Sequence, residues 1–254
     1  MAPEVITQSS PARPSCRGGA QLPLFVSSAS SSTAVDFHAV SRPARTFTGD
    51  FYFTQRCGDR LWFALGDVAG KGLSAAVVME MVQEELERRF ASCATSDVHP
   101  ATTVLRLQAF LRPLLPANRF VSAVVGQLRD DGALVIANAG HCPPLIARRN
   151  GSIERIDSTG PVIGILPTAS WISFSTRLDL EESLLVYSDG LLEAKSADGC
   201  EYGIERIERS LRAGRSRSAR AITACVAEEA AAYAEDARDD DLTLIVLKRP
   251  MSGN

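Results

Sequence analysis

Apolar and polar positions change their period several times along the 254-residue chain. Residues 51–57 and 61–65 read as β-strands joined by a turn at Gly58-Asp59. Leu73, Val77, Val78, Met81, Val82 and Leu86 then recur at helical spacing, with Glu80, Glu84, Glu85, Arg88 and Arg89 between them. A second helix is predicted over 101–111, ended by Pro113 and Pro116. Residues 120–128 and 133–137 flank the hairpin signal Asp130-Asp131-Gly132, and 145–147 and 153–156 flank Asn150-Gly151. Strands follow at 172–178 and 183–187, helices at 204–211 and 219–233, and a final strand at 242–247. Two strands, two helices, a block of antiparallel strands, two helices and a strand predict an α+β layered fold. A doubly wound sheet would alternate strand and helix throughout.

Residues 1–35 stand apart, because only Glu4, Arg13 and Arg17 are charged and Ser, Pro, Ala and Gly dominate. Such a segment has little apolar surface to offset the entropy of ordering, so it is expected to be a flexible tail. Its exception is Leu22-Pro23-Leu24-Phe25-Val26, which is apolar enough to dock on the domain or on a second subunit. Residues 36–249 show no break and read as one domain, with 250–254 as a short C-terminal tail.

The balance of 27 basic and 30 acidic residues gives a formal charge of −3, which lacks the basic excess of a nucleic-acid binder. No apolar run approaches the roughly 18 residues of a membrane span. The start, Met1-Ala2-Pro3-Glu4, lacks the basic-then-apolar order of a signal peptide. A soluble, cytoplasmic protein with no membrane or nucleic-acid partner is expected. The six cysteines are scattered without a paired spacing, which favours free thiols over a disulfide framework.

Four aspartates flank predicted strands: Asp50 before one, Asp67 and Asp189 after apolar runs, and Asp240 ahead of the last. Each alone reads as readily as a turn residue. Carboxylates that converge without cations repel one another, and a divalent metal relieves that repulsion. Oxygen-only ligation favours Mg²⁺ or Mn²⁺ over zinc.

Six blocks occur in order: Gly49-Asp50-Phe51-Tyr52; Gly66-Asp67-Val68-Ala69-Gly70-Lys71-Gly72 with Ala75-Ala76; Asn138-Ala139-Gly140-His141; Gly164-Ile165-Leu166-Pro167; Ser188-Asp189-Gly190 with Glu193-Ala194; and Asp240-Asp241-Leu242-Thr243. Together they resemble the bacterial stage II sporulation protein E-type serine phosphatases, a branch of the metal-dependent phosphatases that includes protein phosphatase 2C. The resemblance spans residues 36–249. It implies a four-layer α-β-β-α sandwich of two antiparallel sheets flanked by helices, with two Mn²⁺ or Mg²⁺ ions at one end. It further implies that Asp67 bridges both ions and the Val68 carbonyl adds a ligand, that Asp50 binds one ion, and that Asp189 and Asp240 bind the other. The implied reaction is hydrolysis of phosphoserine or phosphothreonine by metal-activated water. The implied substrate is a phosphorylated anti-sigma antagonist in a partner-switching pathway, with an activator protein or a homodimer as the regulator.

Two residues depart from the family's first block, Gly-Gly-Asp-Phe-Tyr-Asp: Thr48 replaces a glycine and Phe53 an outer carboxylate. Both are expected to loosen metal binding. In the last block, Asp240 is chosen over Asp239 and Asp241 on the Leu242-Thr243 that follows. His141 reads either as a proton donor to the leaving oxygen or as a hydrogen-bonding hairpin residue, and Lys71 as a phosphate-attracting cation or a solvent-facing turn lysine.

The run Gly70-Lys71-Gly72-Leu73-Ser74-Ala75 also fits a dinucleotide fingerprint. That unit requires a second strand with an acidic residue about 20 positions on, where the chain instead continues as helix. A different class of reading is a phosphatase-fold binding module with weak or no catalysis.

Overall fold

Alternation along one strand explains how the molecule is layered. In β4 (Arg60–Val68), Trp62, Ala64 and Val68 share one apolar cluster, while Leu61, Phe63 and Leu65 share another. A strand whose two faces are both apolar must be covered on both sides. The computed structural model describes residues 34–91, 99–116, 118–235 and 239–251, with the backbone alone of 25–29.

One antiparallel sheet has the order β3 (Phe51–Cys57), β4, β5 (Val121–Arg129), β6 (Ala133–Ala139) and β9 (Phe174–Arg177). The other has the order β1 (Phe25–Ala29), β2 (Asp36–Arg42), β11 (Leu242–Lys248), β10 (Ser183–Tyr187), β7 (Leu145–Ala147) and β8 (Ile153–Arg155). Phe37, Leu65, Val124, Ile136, Val186 and Ile245 belong to the core between the sheets. Helices α1 (Leu73–Phe90) and α2 (Pro100–Leu111) cover the outer face of the first sheet through Val82, Leu86 and Leu107. Helices α4 (Ile204–Ala213) and α5 (Ala219–Tyr233) cover the second through Ile207, Ile222 and Val226. The predicted four-layer α-β-β-α sandwich is therefore observed.

Two strands and a short helix lie outside the sequence reading. β2 is buried along its five central residues, so it has no polar alternation to announce it. β1 pairs with β2 from within the span set apart as a tail, and the Leu22-Pro23-Leu24 part of the apolar exception lies outside the described residues. The single-turn α3 (Asp189–Leu192) is too short to leave a period. The expectation of free thiols holds for Cys142, Cys200 and Cys225 but is corrected at Cys57, which is disulfide-bonded. Cys57 ends β3 beside a hairpin turn.

Candidate metal centre

The core between the sheets turns polar at one end. Stepping by two along each strand, Tyr52 gives way to Asp50, Leu65 to Asp67, Val186 to Ser188, and Ile245 to Thr243 and then Asp241. Ala39, Val124 and Ile136 likewise give way to Ser41, Ser122 and Asn138. The antiparallel registers put all these positions at the same end, since Phe51 pairs with Gly66, Asp67 with Ser122, and Leu242 with Arg42. A period of two, run one step past the apolar core, thus gathers carboxylates and hydroxyls from both sheets.

Hydroxyl bonds lock the second sheet's contribution. Thr243 N–H donates to Ser188 Oγ at 2.9 Å, Ser188 N–H donates to the Thr243 carbonyl at 2.8 Å, and Ser188 Oγ–H donates to the Asp241 carbonyl at 3.1 Å. Gly190 lets α3 lie against this segment, because a Cβ there would come within 2.0 Å of the Asp241 carbonyl. Asp189 and Asp240 are thereby held side by side, close enough for the charge of one to act on the other.

The three consecutive aspartates have separate environments. Asp241 is buried and accepts from the backbone N–H groups of Ala44 (2.7 Å) and Gly49 (3.2 Å), so it pins the loop ahead of Asp50. Asp240 is exposed, 3.6 Å from Lys71 Nζ, with its charge acting on Asp67 and Asp189. Asp240 Oδ1 accepts only from the adjacent Asp241 N–H at 3.0 Å, whereas Asp241 is tied to a distant loop.

The electrostatics are those of uncompensated like charge. Asp50 is buried, its Oδ2 has no hydrogen-bond partner, and burial followed by the charge of Asp67 raises it well above the usual carboxylate range. The Ser188 and Thr243 hydroxyls offset part of that. Asp67 is pushed up to about 7 by burial first, then by Asp189, Asp240 and Asp241. Asp189 is raised by burial, then by Asp240 and Glu193.

An open cradle adjoins these groups. A Cβ on Gly49 would lie 2.7 Å from Asp67 Oδ1 and 3.0 Å from the Val68 carbonyl oxygen. The side chain that would cover these two oxygens is the one that glycine lacks. Burial of an orphaned carboxylate oxygen, mutual repulsion and an uncovered pair of hard oxygens fit a divalent cation of the Mg²⁺ or Mn²⁺ kind. Among the described residues no three His, Cys, Asp or Glu side chains are grouped closely enough to hold a metal ion.

The remaining candidates are resolved by their contacts. Asn138 Oδ1 accepts from His141 N–H at 2.8 Å, and His141 Nδ1 is 2.8 Å from Ser122 Oγ. Burial lowers His141 to about 4, so it is a neutral imidazole at neutral pH. Burial, then Asp189, pushes the Cys142 thiol up to about 12, so it is no nucleophile. Thr48 Oγ1 accepts from Asp50 N–H at 3.0 Å and helps shape the turn. Phe53 stacks on Phe90 of α1 (centroids 5.3 Å apart) on the helix-facing side of the sheet, away from the carboxylates. Ser122 was missed, and Asn138, Ser188 and Asp241 were named within the family blocks without a supporting role; strand parity was the signal for all four.

Among known proteins, the chain is 28% identical over 240 residues to Protein IcfG of Synechocystis sp. (strain ATCC 27184 / PCC 6803 / Kazusa), covering 84% of this chain and 37% of that protein. It is 24% identical over 220 residues to phosphoserine phosphatase RsbU of Bacillus subtilis (strain 168), covering 85% of this chain and 64% of RsbU. The chain thus spans between about a third and two thirds of the length of these relatives. The solved SiaA-PP2C domain of Pseudomonas aeruginosa superposes with a TM-score of 0.73 at 18% identity, covering 85% of this chain and 86% of that one. Residues 58–250, which carry Asp67, Asp189 and Asp240, match the stage II sporulation protein E (SpoIIE) family, and the chain belongs to that family.

Proposed function

We propose that this protein is a metal-dependent serine/threonine protein phosphatase whose centre is held by Asp50, Asp67, the Val68 carbonyl, Asp189 and Asp240. The observation that carries the reading is the end of the inter-sheet core. There Asp50 has an orphaned buried oxygen, Asp67 is held near 7 by burial and then by its acidic neighbours, and Gly49 leaves Asp67 Oδ1 and the Val68 carbonyl oxygen uncovered. Two bound Mn²⁺ or Mg²⁺ ions supply Lewis acidity, an activated water and countercharge for the phosphoryl oxygens.

The chain's own residues contribute position and field. Asp67 and the Val68 carbonyl offer adjoining oxygens, and the charges of Asp189 and Asp240 act on Asp67 as that of Asp67 acts on Asp50. Lys71, exposed and beside Asp240, is the cation at the mouth that meets an incoming phosphate. His141 and Ser122 form a neutral pair behind Asp67, and Cys142 stays protonated, so no covalent enzyme intermediate is invoked.

The name phosphoserine phosphatase, borne by RsbU, supports phosphoserine as the substrate chemistry. The substrate proposed is a phosphorylated regulatory protein of the anti-sigma antagonist kind. The test is hydrolysis of p-nitrophenyl phosphate with and without millimolar Mn²⁺ by the wild type and Asp67→Asn. Manganese-dependent turnover is expected, reduced by more than about a hundredfold in the variant, beyond what groups that merely orient a ligand supply. Turnover that needs no metal and survives the substitution would overturn the reading. Manganese binding with no turnover on any phosphoserine peptide would favour the binding-module alternative.

A further inference from the structure

The peptide that carries the Val68 carbonyl is gripped by the residues just ahead of β5. Ala69 N–H donates to the Phe120 carbonyl at 2.9 Å. In a trans peptide the N–H and C=O point opposite ways, so this bond turns the Val68 carbonyl away from β5 and toward Gly49. The next peptide is held by a side chain. Arg119 Nη1 donates to the Ala69 carbonyl at 2.6 Å, and Nη2 donates to Ser74 Oγ at 3.3 Å in the first turn of α1.

Gly70 makes room for this grip. Its φ is +116°, and a Cβ there would lie 0.9 Å from Arg119 Nη1. The space a side chain would take is filled by the guanidinium. Gly72, at φ +79°, follows two residues later with nothing near its missing side chain. The turn between β4 and α1 thus contains two glycines with wide backbone freedom, and Arg119 ties its first peptide to the helix it leads into.

We propose that Arg119 is a positioning residue for the metal centre: its two-pronged contact to Ala69 and Ser74 fixes the turn after Asp67, and so the aim of the Val68 carbonyl. The inference rests on the metal-centre reading above. A guanidinium suits the task because its planar fork spans a carbonyl and a hydroxyl at once, which an ammonium on a flexible stem does not reproduce. Loosening the turn leaves Asp67 on its strand, so the ion that uses the carbonyl weakens while its neighbour is retained.

The experiment is calorimetric titration of the full chain with Mn²⁺, comparing wild type, Arg119→Ala and Arg119→Lys, with melting temperatures recorded alongside. Two ions are expected in the wild type. In Arg119→Ala one is retained and the other weakens by about tenfold to a hundredfold, the range for groups that orient a metal ligand. Millimolar guanidinium is expected to restore part of that loss, an effect that a general loss of packing would not show. Arg119→Lys keeps the charge and the stem, so it is read in place of the alanine variant if the latter does not fold; a weakened second ion is again expected. Two ions bound with unchanged affinity in the folded variants would overturn this inference alone. A wild type that binds no manganese would overturn the metal-centre reading and this inference with it.

Discussion

The two halves of the centre are built differently. The half on the first sheet, Asp50 and Asp67, is set into the end of the inter-sheet core, and burial is the largest cause of the rise in both carboxyls. The half on the second sheet is mixed: Asp189 is half-buried and its carboxyl is also raised first by burial, whereas Asp240 is exposed and has a cation, Lys71, beside it. Buried like charges store an unfavourable interaction that a metal relieves, whereas an exposed carboxylate is screened and loses little by standing alone. Metal affinity should therefore come mainly from the buried half, and access for phosphate from the open one.

The largest expected effect comes from filling the cradle on the buried side. Gly49→Ala places a methyl against Asp67 Oδ1 and the Val68 carbonyl without demanding a disallowed backbone. Manganese affinity measured by titration should fall by about tenfold to a hundredfold, with the circular dichroism spectrum unchanged. Unchanged affinity would mean that these oxygens are not ligands.

A second contrast is in pH. Asp67 rises from 3.8 to about 7 on folding, so the metal-free folded chain holds more protons than the unfolded chain between those values. The stabilisation is full below 3.8 and is lost as pH rises through about 7. In a chelator the melting temperature should decline across this window, and Asp67→Asn should flatten the decline. Saturating Mn²⁺, which requires the deprotonated carboxylate, should reverse the slope. A metal-free melting temperature that rises through the window in the wild type, to the same degree as in the variant, would count against the buried half as described.

The smallest effect belongs to the open half. Lys71 and Asp240 are roughly half exposed, so their ion pair contributes little. Lys71→Ala should strengthen Mn²⁺ binding by no more than about fivefold, by removing a competing cation. Its KM for p-nitrophenyl phosphate should rise while Mn²⁺ affinity does not fall. Loss of manganese binding would show that the lysine supports the centre rather than guarding its mouth.

Much of this architecture was legible in advance wherever one face of an element meets solvent or a turn residue marks its end. The β3–β4 hairpin, α1 and α5 are such elements, and their predicted and observed spans agree closely. β2 was invisible because both its faces are buried. The first-site departures show the same limit. Thr48 and Phe53 stand close to Asp50 in sequence, but Phe53 faces the helices, because successive strand residues point to opposite sides of a sheet.

By itself the sequence determined the period of each element, the α+β layering, the ordered blocks that announce the family, and the four aspartates as candidates. Those follow from local pattern, which the chain carries residue by residue. Tertiary structure alone decided that Asp241 pins a loop while Asp240 stays exposed beside Lys71, that His141 is buried and neutral, and that Arg119 fills the space above Gly70. Each of those outcomes depends on which distant backbone groups and charges surround a side chain, and only packing two sheets face to face brings them within reach.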